Sequence, residues 1–84
     1  MKELLHFTAD WCVPCKRLKP MLDEILLDYP DINYKMIDVD SNIDITNDYG
    51  VQSVPTLIIL LDGAIHNRHR GIATKEELNS FINK

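Results

Sequence analysis

The chain has 84 residues, of which 45% are hydrophobic and 26% are charged, and this balance predicts one soluble globular domain spanning residues 1–84. A chain of this length lies near the lower limit for folding without cross-links. Its formal net charge of −4 argues against a nucleic-acid-binding surface, which needs a basic patch.

The first predicted elements are a strand and a helix. Residues 3–8 (ELLHFT) are apolar on both faces, which is typical of a central strand covered from both sides. A helix is predicted from about Pro14 to Asp28, because its apolar residues recur at helical spacing and form one stripe: Leu18, Met21, Leu22, Ile25 and Leu26. Pro14 suits the first turn, whereas Pro20 in the interior predicts a kink.

A second strand is predicted over Ile32–Val39, which alternates and places Tyr34 and Met36 on the same face. A strand, a helix and a strand at this spacing form a βαβ unit, so the two strands should be parallel. Residues 40–42 (DSN) are a cap signal for a short, weak helix that Gly50 ends.

The last part of the chain predicts a hairpin and a helix. Thr56–Leu61 is the most apolar strand, and Asp62–Gly63 is a strong turn signal. Ala64–Arg70 should therefore return antiparallel, and its charged residues suit the edge of a sheet. Thr74–Glu77 is a capping box for a final helix with a stripe of Leu78, Phe81 and Ile82. The order βαβ, short α, ββα indicates an α/β fold.

The compartment is inferred from what the sequence lacks. No apolar run approaches the ~20 residues of a membrane span. The N-terminus runs directly into the first strand without the features of a signal peptide. We therefore expect a cytoplasmic protein that does not associate with membranes.

The two cysteines of the chain, Cys12 and Cys15, form a CxxC pair, which in a reducing compartment is typical of catalysis or metal binding. Cys12 is predicted at the N-terminal end of the first helix, where free N–H groups and the helix dipole favour a thiolate. Because Cys12 is nearer the loop, we expect it to be the exposed attacking thiol. Cys15, one turn further, would be the resolving thiol.

Metal binding is the competing interpretation of the pair. Zinc usually takes four Cys or His ligands, commonly as two close pairs. The remaining candidates, His66 and His69, are distant in sequence and should point to opposite faces of a strand. We therefore expect neither a metal nor a cofactor, and an iron–sulfur cluster shared between two chains is the remaining alternative.

Several features, in order along the chain, resemble the thioredoxin family. They are WCVPCK at residues 11–16 after a short strand, SVPT at residues 53–56 before an apolar strand, Asp62–Gly63 and Gly71. The resemblance covers nearly the whole chain. It implies a minimal thioredoxin-like fold, with a central four-stranded mixed sheet of order 2-1-3-4 and helices on both faces. Family members usually carry an additional strand and helix before this core.

The resemblance also implies roles, with Cys12 attacking and Cys15 resolving. Pro55 would follow a cis peptide bond and lie against the dithiol; the alternative is a trans proline at a strand entry. The surface on which protein substrates dock would be formed by Trp11, Val13, Pro14, Val54, Pro55 and Gly71. The alternatives are a core aromatic for Trp11 and a simple strand terminator for Gly71.

The chain departs from the family pattern at several positions. Val13 replaces a glycine beside the attacking sulfur, which stiffens the turn. His6 stands where the family has a buried aspartate, and Met36 where it has the paired lysine. Our hypothesis is that neutral His6 accepts the proton of Cys15. The alternative is a buried strand residue, hydrogen-bonded to backbone, with no catalytic part.

The predicted function is therefore the reduction of protein disulfides by a monomeric electron carrier. Its partners would be disulfide-containing substrate proteins and a thioredoxin-reductase-like protein. One alternative is a glutaredoxin-like, glutathione-coupled oxidoreductase, although Val13–Pro14 is unlike the usual Pro-Tyr dipeptide. The other is a non-enzymatic module in which the dithiol holds a partner or a metal.

Overall fold

Four strands and three helices make up the fold, and a computed structural model describes all of residues 1–84. The elements are β1 (Lys2–Thr8), α1 (Val13–Leu26), β2 (Ile32–Asp38), α2 (Ile43–Asp48), β3 (Thr56–Leu61), β4 (Ala64–Arg70) and α3 (Lys75–Asn83). Every predicted element is present, in the predicted order. None of the three helices has both the length and the apolar character that crossing a membrane requires.

The strands form one mixed sheet in the order β2-β1-β3-β4. Strand β1 is parallel to β2, as expected for a βαβ unit, and antiparallel to β3. Strand β4 pairs antiparallel with β3 at the edge of the sheet. The fold class and the strand order 2-1-3-4 are therefore confirmed.

Helices cover both faces of this sheet, and β1 supplies side chains to both. Leu4 packs into the core under α1 and α3, while its neighbour Leu5 packs into the core on the opposite face, because successive strand residues alternate. The first core comprises Leu4, Leu18, Leu22, Ile25, Leu57, Ile59, Leu78, Phe81 and Ile82. The second comprises Leu5, Phe7, Val51, Ile58 and Leu60. The short helix α2 ends beside this second core, where Tyr49 packs.

The helix ends follow the predicted signals with two differences. Helix α1 ends at Leu26 rather than Asp28, and it continues through Pro20, where the kink stays a prediction. Asn42 precedes α2 as predicted, but its side chain does not cap the helix. Its amide donates instead to the carbonyl of Asp38 at 3.0 Å, which ties the helix start to the end of β2.

The capping box of α3 is confirmed. The Thr74 hydroxyl accepts from the backbone N–H of Glu77 at 3.1 Å, and the Glu77 carboxylate accepts from the backbone N–H of Thr74 at 3.0 Å. These two bonds satisfy backbone donors that the start of a helix otherwise leaves free.

The β3–β4 hairpin contains a bulge that changes the direction in which His66 and His69 point. Its turn has left-handed backbone at Asp62 (φ 52°) and Gly63 (φ 85°), as the sequence predicts. Beyond it, Leu60 pairs with Ile65 and Ile59 with Asn67, so His66 is an extra residue that forms a bulge. Because the bulge shifts the alternation of side chains between the two faces of the sheet, the expectation that His66 and His69 point to opposite faces is wrong. The ring of His66 lies 3.0 Å from the carbonyl oxygen of Lys84, and that of His69 lies 5.9 Å from the Phe81 ring, so both reach the α3 side.

Candidate active site

The dithiol lies where β1 leads into α1. Cys12 is the N-cap residue of α1, and its backbone N–H donates to the carbonyl of Ala9 at 3.1 Å. Cys12 and Cys15 form a disulfide, with their Cα atoms 5.3 Å apart. The backbone N–H of Cys15 points at the Cys12 sulfur, 3.2 Å away. This donor would stabilise negative charge on Cys12 once the disulfide is reduced.

Both cysteines are buried in this oxidised form, since Cys12 is 4% exposed and Cys15 is 1% exposed. The expectation that Cys12 is an exposed thiol is therefore wrong for the disulfide. The reason is packing from outside the motif, because Ala9 and Val54 contact the pair. Within the CxxC motif, Val13 (57% exposed) and Pro14 face solvent instead.

The loop before β3 lies against the dithiol, as the family resemblance implies. The Val54–Pro55 peptide bond is cis, so the trans alternative is wrong. The Thr56 hydroxyl donates to the carbonyl of Ser53 at 2.7 Å and closes this loop. The backbone N–H of Gly71 donates to the carbonyl of Pro55 at 2.9 Å. Gly71 therefore does more than end β4, because it joins that strand to the loop beside the cysteines, with φ at 84° in the left-handed region.

Trp11 is a surface residue held in place by a carboxylate. Its side chain is 67% exposed, so the alternative of a core aromatic is wrong. The indole N–H donates to Oδ2 of Asp40 at 2.9 Å, which joins the loop after β1 to the loop after β2. The backbone N–H of Asp40 in turn donates to the Asp38 carboxylate at 2.9 Å. The sequence indicated Asp40 only as part of a helix-cap signal, not as a partner of Trp11.

His6 is fully buried, and its partner is a phenol rather than the backbone. Nδ1 lies 2.9 Å from the Tyr34 hydroxyl, whereas Nε2 has no hydrogen-bond partner. The pKa of His6 is lowered from 6.5 to about 4, mainly by burial and also by the charge of Lys19, while Asp23 partly opposes this shift. Burial also raises the pKa of Tyr34, so its hydroxyl keeps its proton. The sequence placed Tyr34 on a strand face but did not predict its hydrogen bond to His6.

A small cleft of about 250 Å³ opens on the Cys15 side of the disulfide. Its lining includes Cys15, Lys19, Thr8 and Met36. Met36 is the cross-strand partner of His6, which is the juxtaposition that the family pattern implies for these two positions. Lys19 bridges to Asp23 at 2.6 Å, and its ammonium group lies 5.2 Å from the centre of the Tyr34 ring.

The side chains that commonly bind metals are not gathered at one place in the chain. No group of three or more His, Cys, Asp or Glu side chains is placed to hold an ion. His66 and His69 are each bonded to backbone carbonyls near α3. An α/β fold that presents a CxxC disulfide at a helix N-terminus defines a dithiol–disulfide oxidoreductase.

Comparison with known proteins identifies the family. The thioredoxin family model matches residues 1–84. Thioredoxin from Bacillus subtilis is 40% identical over 82 residues, which cover 96% of this chain and 79% of that protein. Thioredoxin from Listeria monocytogenes is 39% identical over 82 residues, which cover 96% and 80%.

Solved structures agree with this result. A mutant thioredoxin from Halobacterium salinarum superposes with a TM-score of 0.89 at 35% identity, covering 98% of this chain and 72% of that one. Oxidised mitochondrial thioredoxin 3 from Saccharomyces cerevisiae gives a TM-score of 0.89 at 33% identity, covering 98% and 76%. The chain belongs to the thioredoxin family. It acts as a protein-disulfide reductase through the Cys12–Cys15 pair, and the glutathione-coupled alternative is not favoured.

Proposed function

We propose that Cys12 is the attacking thiol and Cys15 the resolving thiol of this reductase. The observation that carries this assignment is the Cys15 backbone N–H aimed at the Cys12 sulfur at 3.2 Å, with Cys12 at the helix N-cap. A donor in this position favours a thiolate on Cys12 and offers nothing comparable to Cys15, which lies inside α1.

The exchange moves two electrons to the substrate in two steps. The Cys12 thiolate attacks one sulfur of a substrate disulfide, that disulfide breaks, and the other substrate sulfur leaves as a thiolate and takes a proton. Cys15 then loses its proton and attacks the Cys12 sulfur. The bond between Cys12 and the substrate breaks, the second substrate thiol leaves, and the protein holds the Cys12–Cys15 disulfide.

Substrate proteins dock, in this proposal, on the surface around the disulfide. Its residues are Trp11, Val13, Pro14, Val54, Pro55 and Gly71. Three features support the assignment. Trp11 and Val13 are apolar and exposed, Val54 packs directly on the cysteines, and Gly71 is bonded to Pro55. Bulky apolar side chains that stay exposed around a reactive group are typical of an interaction surface.

His6 is proposed as the proton acceptor for Cys15. Its Nε2 is buried without a hydrogen-bond partner, which supports this role, whereas burial lowers its pKa to about 4 and so makes the neutral ring a weak base. The rate of disulfide reduction by a His6→Ala variant, measured from pH 5.5 to 8.5, tests this role. A pH profile that matches the wild-type profile removes His6 from the mechanism.

The remaining parts of the proposal concern the cellular setting. The single domain of residues 1–84 would work as a monomer in the cytoplasm, without a cofactor other than its own disulfide. A thioredoxin-reductase-like protein would re-reduce it, as family membership implies.

Reduction of insulin disulfides by the wild-type protein, with dithiothreitol or a bacterial thioredoxin reductase as electron donor, tests the assignment. We expect Cys12→Ser to abolish turnover and Cys15→Ser to leave at most a single exchange per molecule. Undiminished turnover by either variant would contradict the proposal.

A further inference from the structure

We propose that Lys19 is a positioning residue for the resolving step: its ammonium group, in the cleft beside Cys15, stabilises the Cys15 thiolate that attacks the mixed disulfide. This inference rests on the proposed role of Cys15 as the resolving thiol. It does not depend on His6, and it adds a charge on α1 that the CxxC spacing does not predict.

Helix α1 places Lys19 on the same side as Cys15. The two residues are four positions apart, so they are neighbours on one face of the helix, with Cβ atoms about 5–6 Å apart. Both line the cleft of about 250 Å³. A charge acts on a thiolate over such a distance without touching it. The ammonium group and the resolving cysteine therefore share one cleft in which the first can act on the second.

Two contacts hold the Lys19 side chain in place. Its Nζ lies 2.6 Å from both carboxylate oxygens of Asp23, one turn further along α1. Nζ also lies 5.2 Å from the centre of the Tyr34 ring, a distance at which a cation is attracted to an aromatic face. The other cation of the cleft, Lys16, is exposed and has no ion pair, so solvent screens its charge more strongly. Lys19 is therefore the cation with a fixed position.

The ion pair of Lys19 and Asp23 presents a net positive charge to the interior. At His6 the charge of Lys19 lowers the pKa by more than Asp23 raises it. Cys15 is four residues from Lys19 and eight from Asp23, which corresponds to about 6 Å and about 12 Å along the helix axis. The ammonium group therefore outweighs the carboxylate at Cys15 as well.

The surroundings of Cys15 otherwise disfavour a thiolate. Its side chain is 1% exposed, and the residues that pack around the two sulfurs are apolar: Ala9, Val39 and Val54. Burial among apolar groups favours the neutral thiol. The backbone N–H of Cys15 points at the Cys12 sulfur and not at its own. A nearby positive charge therefore has a large effect on how much Cys15 is ionised.

The other titratable groups nearby do not supply this charge. Asp10 and Lys16 line the cleft, are both exposed and carry opposite charges. On β1, burial lowers the pKa of His6 to about 4, so its ring is neutral at pH 7. On β2, burial raises the pKa of Tyr34, so its hydroxyl is neutral as well. The charge that favours the Cys15 thiolate is therefore that of Lys19.

The resolving step balances without a further reactant. The S–H bond of Cys15 breaks, its proton reaches solvent through the cleft, and the electron pair left on sulfur forms the bond to Cys12. The bond between Cys12 and the substrate breaks, and the departing substrate thiolate takes a proton from solvent. Lys19 keeps its own proton throughout.

The direct test measures the Cys15 thiolate in the absence of Cys12. In reduced Cys12→Ser protein, Cys15 is the only cysteine, and the ultraviolet absorbance of its thiolate is followed as a function of pH. In this background we expect Lys19→Met to lower the thiolate fraction at pH 7 roughly three- to tenfold, because Asp23 offsets part of the effect of a neighbouring opposite charge. An unchanged fraction overturns the inference.

Three control variants separate charge from structure. Lys19→Arg keeps the charge and should keep the thiolate fraction. Lys75→Met removes a lysine that pairs with another carboxylate of α1, Glu24, at 2.5 Å, and should leave the fraction unchanged. Asp23→Asn breaks the same ion pair as Lys19→Met but removes the opposing charge, so it should raise the fraction. A fall in both of these variants would show that the ion pair acts through structure and would overturn the inference. If Lys19→Met does not fold, Asp23→Asn alone decides, since a fraction that does not rise overturns it.

Turnover gives a second readout. Insulin reduction with excess dithiothreitol is measured from pH 5.5 to 8.5, and Lys19→Met should be slower than the wild type at pH 7, with a difference that narrows toward pH 8.5 as Cys15 ionises in both proteins. A Lys19→Met profile equal to that of the wild type overturns the inference and leaves the proposed function intact. A wild-type protein that reduces no insulin would instead overturn the proposed function.

Discussion

Protonation of the buried His6 should destabilise the protein as the pH falls below 6.5. Burial and the charge of Lys19 lower the pKa of this histidine from 6.5 to about 4. In the unfolded chain the imidazole takes a proton below about 6.5, whereas in the folded chain it does so only near pH 4. The unfolded state therefore binds more protons between these values, so stability is lost as the pH drops through this window and stays lost below it.

The size of the loss follows from the two pKa values. One pKa unit corresponds to about 1.4 kcal/mol, so the change from 6.5 to about 4 corresponds to about 3 kcal/mol. A small domain has roughly 5–15 kcal/mol in total. This single side chain would thus account for a large part of the acid sensitivity.

The assay is urea unfolding of the oxidised protein at pH 7 and pH 4, followed by far-UV circular dichroism. The His6→Leu variant has an apolar side chain that does not titrate, and we expect it to lose about 3 kcal/mol less than the wild type between the two pH values. Carboxylates such as Glu77, whose pKa is lowered by its bond to Thr74, also weaken the fold in acid, but they are present in both proteins. His66→Leu, at an exposed histidine, is the control and should keep the wild-type difference. Equal losses for wild type and His6→Leu would refute the reasoning.

Three further predictions concern packing, capping and docking. Leu18→Ala, at a fully buried position of the core under α1, should lower the free energy of unfolding by about 2–5 kcal/mol in the same urea assay. Thr74→Ala removes the acceptor for the Glu77 N–H and should cost about 1 kcal/mol, while Ser at this position should restore most of it. Trp11→Ala should change stability by less than about 0.5 kcal/mol, because the side chain is exposed, yet it should raise the KM for insulin; a large stability loss with an unchanged KM would show that Trp11 is structural.

The fold was predictable because its signals are local. The alternating strand around Tyr34, the Asp62–Gly63 turn and the Thr74–Glu77 capping box each depend on a few neighbouring residues, and the structure confirms each. The CxxC spacing likewise places both sulfurs on the first turn of α1 without any tertiary information.

The features that the sequence did not predict depend on contacts between distant segments. The partner of His6 is 28 residues away, and the partner of Trp11 is 29 residues away. The burial of Cys12 comes from packing of Val54, which precedes β3. The bulge at His66 follows from strand register rather than from a glycine or proline. No local pattern encodes these pairings.

The assignment of separate roles to the two cysteines is the central claim, and covalent trapping tests it most directly. Reduced Cys15→Ser protein is mixed with insulin, and intact-mass spectrometry followed by peptide mapping locates any stable adduct. We predict a mixed disulfide on Cys12 that persists because no resolving thiol is present, whereas the wild type releases its substrate. Absence of an adduct from Cys15→Ser, with a stable adduct on Cys15 in the Cys12→Ser variant, would contradict the account.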